Sequence, residues 1–311
     1  MKRKNLLLLI LIMAMPFTLF ACANGPEPGT EAQNKPELKG EEQKKSPSAS
    51  SELKKETMHS ELLKKDMNIN IYLPEGYGGS EKYPVLYIFH GYSGNENSWM
   101  PDMELNKRAD ELIASQKIAP LIIVSPQIDN GYGLNSSEEP RVIGTPPNSS
   151  LNYGMYEDYI CKELVSYIDA NYSTLASREG RYIGGLSMGG YAALYLAFSH
   201  PDMFSKAGGH SPALFPDDTT DNILPWLYPD EETRALRDPL YIAREKDLSK
   251  LKVYLDCGDK DDYRFYENCE KLYKILQERG VQSEYHLNPG EHDGAYWSSN
   301  AEKYLLFYAG K

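Results

Sequence analysis

Cysteine is scarce. Four residues in 311 are too few for a disulfide scaffold, and none shows the paired C-x-x-C spacing of a zinc site. No H-E-x-x-H or clustered His/Asp spacing is present, so the chain is read as having neither metal nor cofactor. Positive charge is also short: 33 Lys and Arg stand against 45 Asp and Glu, for a net charge of −12. So acidic a surface repels phosphate backbones and excludes nucleic acid as an expected partner. The longest apolar-rich run, Leu6 to Phe20, is short for a membrane span of roughly 20 residues. Aromatic residues are missing altogether from residues 23–56.

That apolar run follows Lys2, Arg3 and Lys4 and leads into Leu19-Phe20-Ala21-Cys22. A basic start, a short apolar region and small residues before a cleavage point make a signal peptide. Its end resembles the bacterial lipobox, so residues 1–21 are expected to be removed and Cys22 to carry lipid. The expected location is extracytoplasmic, with the protein anchored to a bacterial membrane at Cys22. Residues 22–56, rich in Pro, Gly, Ser, Glu and Lys, cannot form a core and read as a flexible linker. The remainder, 57–311, is read as one domain.

Over that stretch the hydrophobic period switches repeatedly. Asn68 to Leu73 alternates and reads as a strand with one wet face. Pro84 to Phe89 and Leu121 to Val124 are continuous apolar runs, the pattern of strands covered on both faces. Arg181–Ile183, Phe204–Ala207, Lys252–Leu255 and Glu284–Leu287 add further strands. Amphipathic helices are expected over Leu105–Ser115, Tyr156–Asn171, Tyr191–Ser199, Phe265–Arg279 and Tyr296–Tyr308. Alternation of this kind predicts an α/β fold: a mostly parallel sheet with helices on both faces. Residues 126–154 and 212–240 read as long connections, and functional loops in such folds gather at the strands' C-terminal ends.

Gly185-Leu186-Ser187-Met188-Gly189 is a G-x-S-x-G pentapeptide with a strand before it and a helix after it. In that context the serine sits on a sharp strand-to-helix turn as a nucleophile. A serine hydroxyl needs a base to take its proton, and the base needs a carboxylate to fix its tautomer. Strand-turn-helix hydrolases carry these in the order Ser, acid, His. Of six histidines, His292 lies in the loop between the last strand and the last helix and is taken as the base. His210 has no carboxylate-bearing strand end between it and Ser187, and reads as a polar residue near the pocket rim. His90 reads as a structural hydrogen-bonding residue. The acid comes from Asp256, Asp259, Asp261 or Asp262, with Asp261 favoured because it lies far enough into the loop to reach across the sheet's top edge. For the oxyanion hole, the backbone N–H groups of Met188 and Tyr92 are expected to face the substrate carbonyl.

Four segments together resemble the esterase D/feruloyl esterase family of α/β-hydrolases, which includes the mycolyltransferases. They are Ile71-Tyr72-Leu73-Pro74-Glu75-Gly76-Tyr77, His90-Gly91-Tyr92, Gly185 to Gly190, and Glu291-His292-Asp293 followed by Trp297. The resemblance implies an α/β-hydrolase fold and ester hydrolysis through an acyl-enzyme, often on acylated plant-wall sugars. It also favours Asp261, three residues after a strand-ending glycine. The same triad would permit acyl transfer to a sugar hydroxyl, and a non-catalytic sugar- or siderophore-binding lipoprotein is the competing class. Among the 24 tyrosines, most fall at helical core spacing. Tyr132, Tyr153, Trp226 and Tyr228 lie in the long loops and, with Trp297, are candidate substrate contacts. Cys257 and Cys269 are read either as a pair or as buried free thiols.

Overall fold

The computed structural model describes residues 48–137 and 150–311. The expected leader, Cys22 and most of the expected linker lie outside the described residues. The described residues form ten strands: β1 (Glu52–Ser60), β2 (Lys65–Leu73), β3 (Val85–Phe89), β4 (Ile122–Pro126), β5 (Asn135–Ser136), β6 (Gly154–Met155), β7 (Arg181–Leu186), β8 (Lys206–His210), β9 (Lys252–Gly258) and β10 (Gln282–Asn288). Eight of them form one sheet in the order β1-β2-β4-β3-β7-β8-β9-β10, while β5 and β6 make a small separate ribbon. β1 and β2 pair antiparallel, as do β2 and β4; from β4 to β10 every neighbour is parallel.

Every residue of β3 and β4 is buried, which is why those strands read as unbroken apolar runs. Helices cover both faces. On one side α1 (Leu105–Ala114) and α9 (Gly294–Ala309) pack Leu105, Ala109, Leu112, Tyr304, Leu305 and Tyr308 against the sheet. The other side carries the helical stretch α2 (Tyr156–Asp158), a wider turn at Tyr159–Leu164, and α3 (Val165–Asn171). Next come α4 (Met188–Ser199), the short α5 (Leu224–Leu227) and α6 (Glu231–Arg237), then α7 (Pro239–Glu245) and α8 (Phe265–Glu278). From Met188 to Phe198, α4 is buried all round, so it shows no amphipathic stripe and reads as a core helix. Among the described residues no helix is long and apolar enough to cross a membrane.

Four expectations need correction. The linker does not extend to residue 56: Ser48 already exchanges backbone hydrogen bonds with Tyr77 and Gly76, and β1 starts at Glu52. Its Glu56 carboxylate accepts from Tyr167 and Tyr172 hydroxyls at 2.7 and 2.5 Å, so charged residues there serve a paired edge strand. The second face of β2 is not wet either, since Asn70 is 1% exposed and its amide donates to Met100 O at 2.6 Å. The strand expected at Phe204–Ala207 is shifted to Lys206–His210, because two glycines, Gly208 and Gly209, continue it. Residues 212–240 are not all loop: Asp230 and Asp238 accept from the Thr233 and Leu240 N–H groups and cap α6 and α7.

Candidate active site

The parallel strands β7, β8 and β9 end side by side, and the loops leaving them build the site. Between β7 and α4 the chain turns on Ser187 alone, held at φ 52° and ψ −118°. A side chain there with positive φ is strained, and strain of this kind collects at functional turns. The turn closes only because Gly185 and Gly189 have no Cβ: one added to Gly185 would strike the Gly189 backbone, and one added to Gly189 would strike the backbone of Phe89 and His90. The Ser187 N–H donates to His210 O and the Ser187 carbonyl accepts from Ala213, both at 2.9 Å.

His292 sits just before α9. Its neighbour Asp293 caps that helix by accepting the Tyr296 N–H at 2.8 Å, which fixes where the loop ends and the helix begins. The imidazole Nε2 lies 2.9 Å from Ser187 Oγ and Nδ1 lies 2.7 Å from Asp261 Oδ2. The two contacts make one consistent tautomer: Nδ1–H donates to the carboxylate, and Nε2 accepts from the hydroxyl. Asp261 is 3% exposed, and its other oxygen accepts the Tyr263 N–H at 2.9 Å. The rings of Tyr263, Trp297 and Phe265 stand 4.9, 5.0 and 5.3 Å from the imidazole, shielding it from water on three sides.

The other acids go elsewhere. Asp259 accepts the Gly290 N–H at 3.0 Å and Asp262 is exposed. Asp256 is fully buried with His210, so His210 is not a polar residue at the pocket rim. Its ring stacks on Tyr304 at 3.6 Å beneath the site.

Met188 is the first residue of α4, and the first N–H groups of a helix have no intrahelical acceptor. Tyr92 lies on the loop after β3, which is pinned at both ends. His90 Nδ1–H donates to Gly91 O at 2.8 Å, and its Nε2 accepts the Ile128 N–H at 3.0 Å. Burial pushes this imidazole below its ordinary value, so it stays neutral and keeps both bonds. Farther along the loop, Asn130 Oδ1 accepts the Ser93 N–H at 2.7 Å.

Ser187 and His292 open into a cavity of about 570 Å³. Tyr132 and Trp297 line it, as expected; Tyr153 and Trp226 do not. Those two pack behind, with Trp226 5.9 Å from Tyr132 and 5.6 Å from Tyr153, and they hold Tyr132 in place. Tyr228 lines a neighbouring cavity of about 500 Å³ that shares Phe215 with the first. Sequence reasoning missed Phe215, Asp221, Ile223, Tyr263 and Phe265 in the wall. Their signal was position: each follows the C-terminal end of β8 or β9. Cys257 and Cys269 are buried and free. Among the described residues no group of three or more His, Cys, Asp or Glu side chains is arranged to hold a metal ion.

Residues 60–306 match the model of the family described as "Putative esterase". The chain belongs to the esterase family. An endo-1,4-β-xylanase/feruloyl esterase of Xylanibacter ruminicola is 30% identical to this esterase over 242 residues, which is 75% of this chain and 28% of that protein. The chain thus spans little more than a quarter of that relative's length. An acetyl esterase of Caldicellulosiruptor saccharolyticus is 26% identical over 238 residues, covering 70% of this chain and 80% of its own. The solved structure of a ferulic acid esterase superposes with a TM-score of 0.69 at 25% identity, over 84% of this chain and 98% of that one. The expected family and α/β-hydrolase fold are borne out.

Proposed function

We propose that this esterase cleaves acyl groups from carbohydrate esters through an acyl-enzyme on Ser187. The observation that carries the reading is the unbroken chain Ser187–His292–Asp261, 2.9 and 2.7 Å long, at the mouth of an aromatic-walled cavity. Ser187 Oγ attacks the ester carbonyl as its proton passes to His292 Nε2; Asp261 accepts from Nδ1 and stabilises the imidazolium. The oxyanion that forms is held by the Tyr92 and Met188 N–H groups. Collapse breaks the ester C–O bond, and the leaving alcohol takes the proton from Nε2. Water, deprotonated by His292, then attacks the acyl-enzyme and frees the acid and Ser187.

The names of the feruloyl and acetyl esterase relatives support an acylated sugar as substrate. The wall supports a neutral acyl group: aliphatic and aromatic side chains together make up most of it, and no Lys or Arg is among its described residues. Tyr132 and Trp297 contact that group. The test is hydrolysis of p-nitrophenyl acetate and of feruloylated and acetylated xylo-oligosaccharides, with labelling by a fluorophosphonate probe. Wild type cleaves and is labelled, and Ser187→Ala does neither; an active Ser187→Ala protein overturns the reading.

The reading extends to location: the segment Leu19-Phe20-Ala21-Cys22 supports lipidation of Cys22 and tethering to a membrane on its outer side. Cys22→Ser then moves the protein from the detergent phase to the aqueous phase, and unchanged partitioning refutes the anchor.

A further inference from the structure

Successive residues of a strand point to opposite faces, and near the end of β9 this separates two side chains with different tasks. Asp256 points to the face covered by α9, where Tyr296 and Tyr304 donate to it. Cys257 points to the other face, toward Cys269 of α8, and is fully buried. Its Sγ lies 3.2 Å from Asp261 Oδ2, the same oxygen that takes the His292 Nδ1–H at 2.7 Å.

We propose that Cys257 is a positioning residue for the acid of the triad: its S–H holds Asp261 Oδ2 in line with His292 and draws off part of that oxygen's charge, so that it sets the basicity of the imidazole. The proposal rests on the reading of Ser187, His292 and Asp261 as the triad. The thiol's place is fixed because β9 is hydrogen-bonded on both sides, with Cys257 opposite Leu287 of β10. Cys269, burial and the Asp261 charge all push the Cys257 thiol upward, so it stays protonated and remains a donor. A thiol is a weak donor, and that makes the site tunable in both directions. Alanine removes the donor, leaves more charge on Oδ2 for the imidazolium, and raises the pKa of His292. Serine supplies a stronger donor and holds the pKa at or below the wild-type value.

Other ionisable groups face this pair. Tyr285 of β10 and Cys269 of α8 lie on the thiol's face of the sheet, and Tyr296 of α9 acts on it through charge from the other face. Tyr263 stands against the imidazole, Asp221 shares its cavity, Asp259 faces its loop through Gly290, and Glu291 and Asp293 are its chain neighbours. All are unchanged in Cys257→Ala and Cys257→Ser, so a difference between the three proteins reports the thiol.

The experiment follows the His292 ring protons by NMR against pH in full-length wild type, Cys257→Ala and Cys257→Ser, with His292→Asn to assign the resonance. In parallel, kcat and KM are measured on p-nitrophenyl acetate. The expected result is an upward shift of about half a pH unit in the alanine protein, with kcat reduced several-fold and KM little changed. Serine returns the titration to the wild-type position or below it. Identical titrations, or equal upward shifts in both variants, overturn the proposal. Should the alanine protein fail to fold, the serine protein decides alone: a titration below wild type supports, and one at or above it overturns. If the titrations follow the series but no ester is cleaved, the positioning role stands and the catalytic reading falls.

Discussion

His210 and Asp256 lie opposite each other on adjacent parallel strands, and their side chains form a fully buried pair at 2.9 Å directly beneath the Ser187–His292–Asp261 chain. The Asp256 carboxylate also accepts the Tyr296 and Tyr304 hydroxyls at 2.6 and 2.8 Å. The pair therefore ties three pieces together. The His210 carbonyl holds the Ser187 N–H, β9 leads to Asp261, and Tyr296 lies on the first turn of the helix that follows His292.

Removing the hub leaves an imidazole and two phenols without an acceptor in the core. Asp256→Ala is expected to cost about 3–5 kcal/mol, since breaking a buried pair from one side strands its partners. In a domain of this size the loss reads as a fall in Tm on the order of 10 °C. Asp256→Asn keeps a carbonyl acceptor and falls less. A melting curve for the alanine protein that overlies wild type refutes the hub role.

His90 makes stability depend on pH. Burial holds its folded-state pKa below the ordinary 6.5, so the unfolded chain takes up the proton first as pH falls. Its contribution is complete above about pH 6.5 and is lost as pH drops below that value, at no more than about 1.4 kcal/mol per pH unit for one proton. Denaturant midpoints measured from pH 7.5 to 5 should slope downward in wild type and run flatter in His90→Gln. Parallel slopes would assign the dependence to other groups.

Asp221 in the cavity wall is expected to select against negatively charged acyl chains. It is the one carboxylate in the described wall, and no cation balances it. An ester whose acyl chain ends in a free carboxylate should be cleaved about tenfold more slowly, as kcat/KM, than its neutral isostere, the scale expected for like charges several ångströms apart in a partly wet site. Asp221→Asn retains the acceptor for the Ile223 N–H and should narrow that ratio. An unchanged ratio removes Asp221 from substrate selection.

The Ser187 turn tolerates no added carbon at Gly185. An alanine there meets the Gly189 backbone, which cannot rotate away as a side chain would, so the expected cost is about 3 kcal/mol or more. Gly294→Ala is the control: its Cβ would meet nothing within 4 Å, and its stability should stay within about 0.5 kcal/mol of wild type. Chemical denaturation of the two variants separates a packing effect from a general intolerance of substitution.

Much of this architecture was legible because local pattern and burial coincide. β3 and β4 are covered on both faces, so they are apolar without interruption. α8 and α9 keep a helical stripe and match their expected ranges to within two residues. β1 was not legible. Its Lys54, Lys55 and Glu56 look like linker, and only pairing with β2 and the two tyrosines on α3 and just beyond it make them a strand. Trp226 and Tyr153 were wrongly expected in the wall for a related reason: residues of one loop are alike in sequence, and only packing decides which faces the cavity and which stands behind.

By itself the amino-acid order determined the fold class, the serine turn flanked by Gly185 and Gly189, and the order serine, acid, histidine along the chain, because each depends on neighbours along the chain or on chain order. Tertiary structure alone decided that His210 and Asp256 are a buried brace, that Asp261 rather than Asp259 or Asp262 meets the imidazole, and that a cysteine thiol touches the same carboxylate oxygen. Those assignments depend on which strand ends lie side by side and on which face each residue points to. A parallel sheet brings His210 to Asp256 across 46 positions and Asp261 to His292 across 31, distances that no local pattern spans.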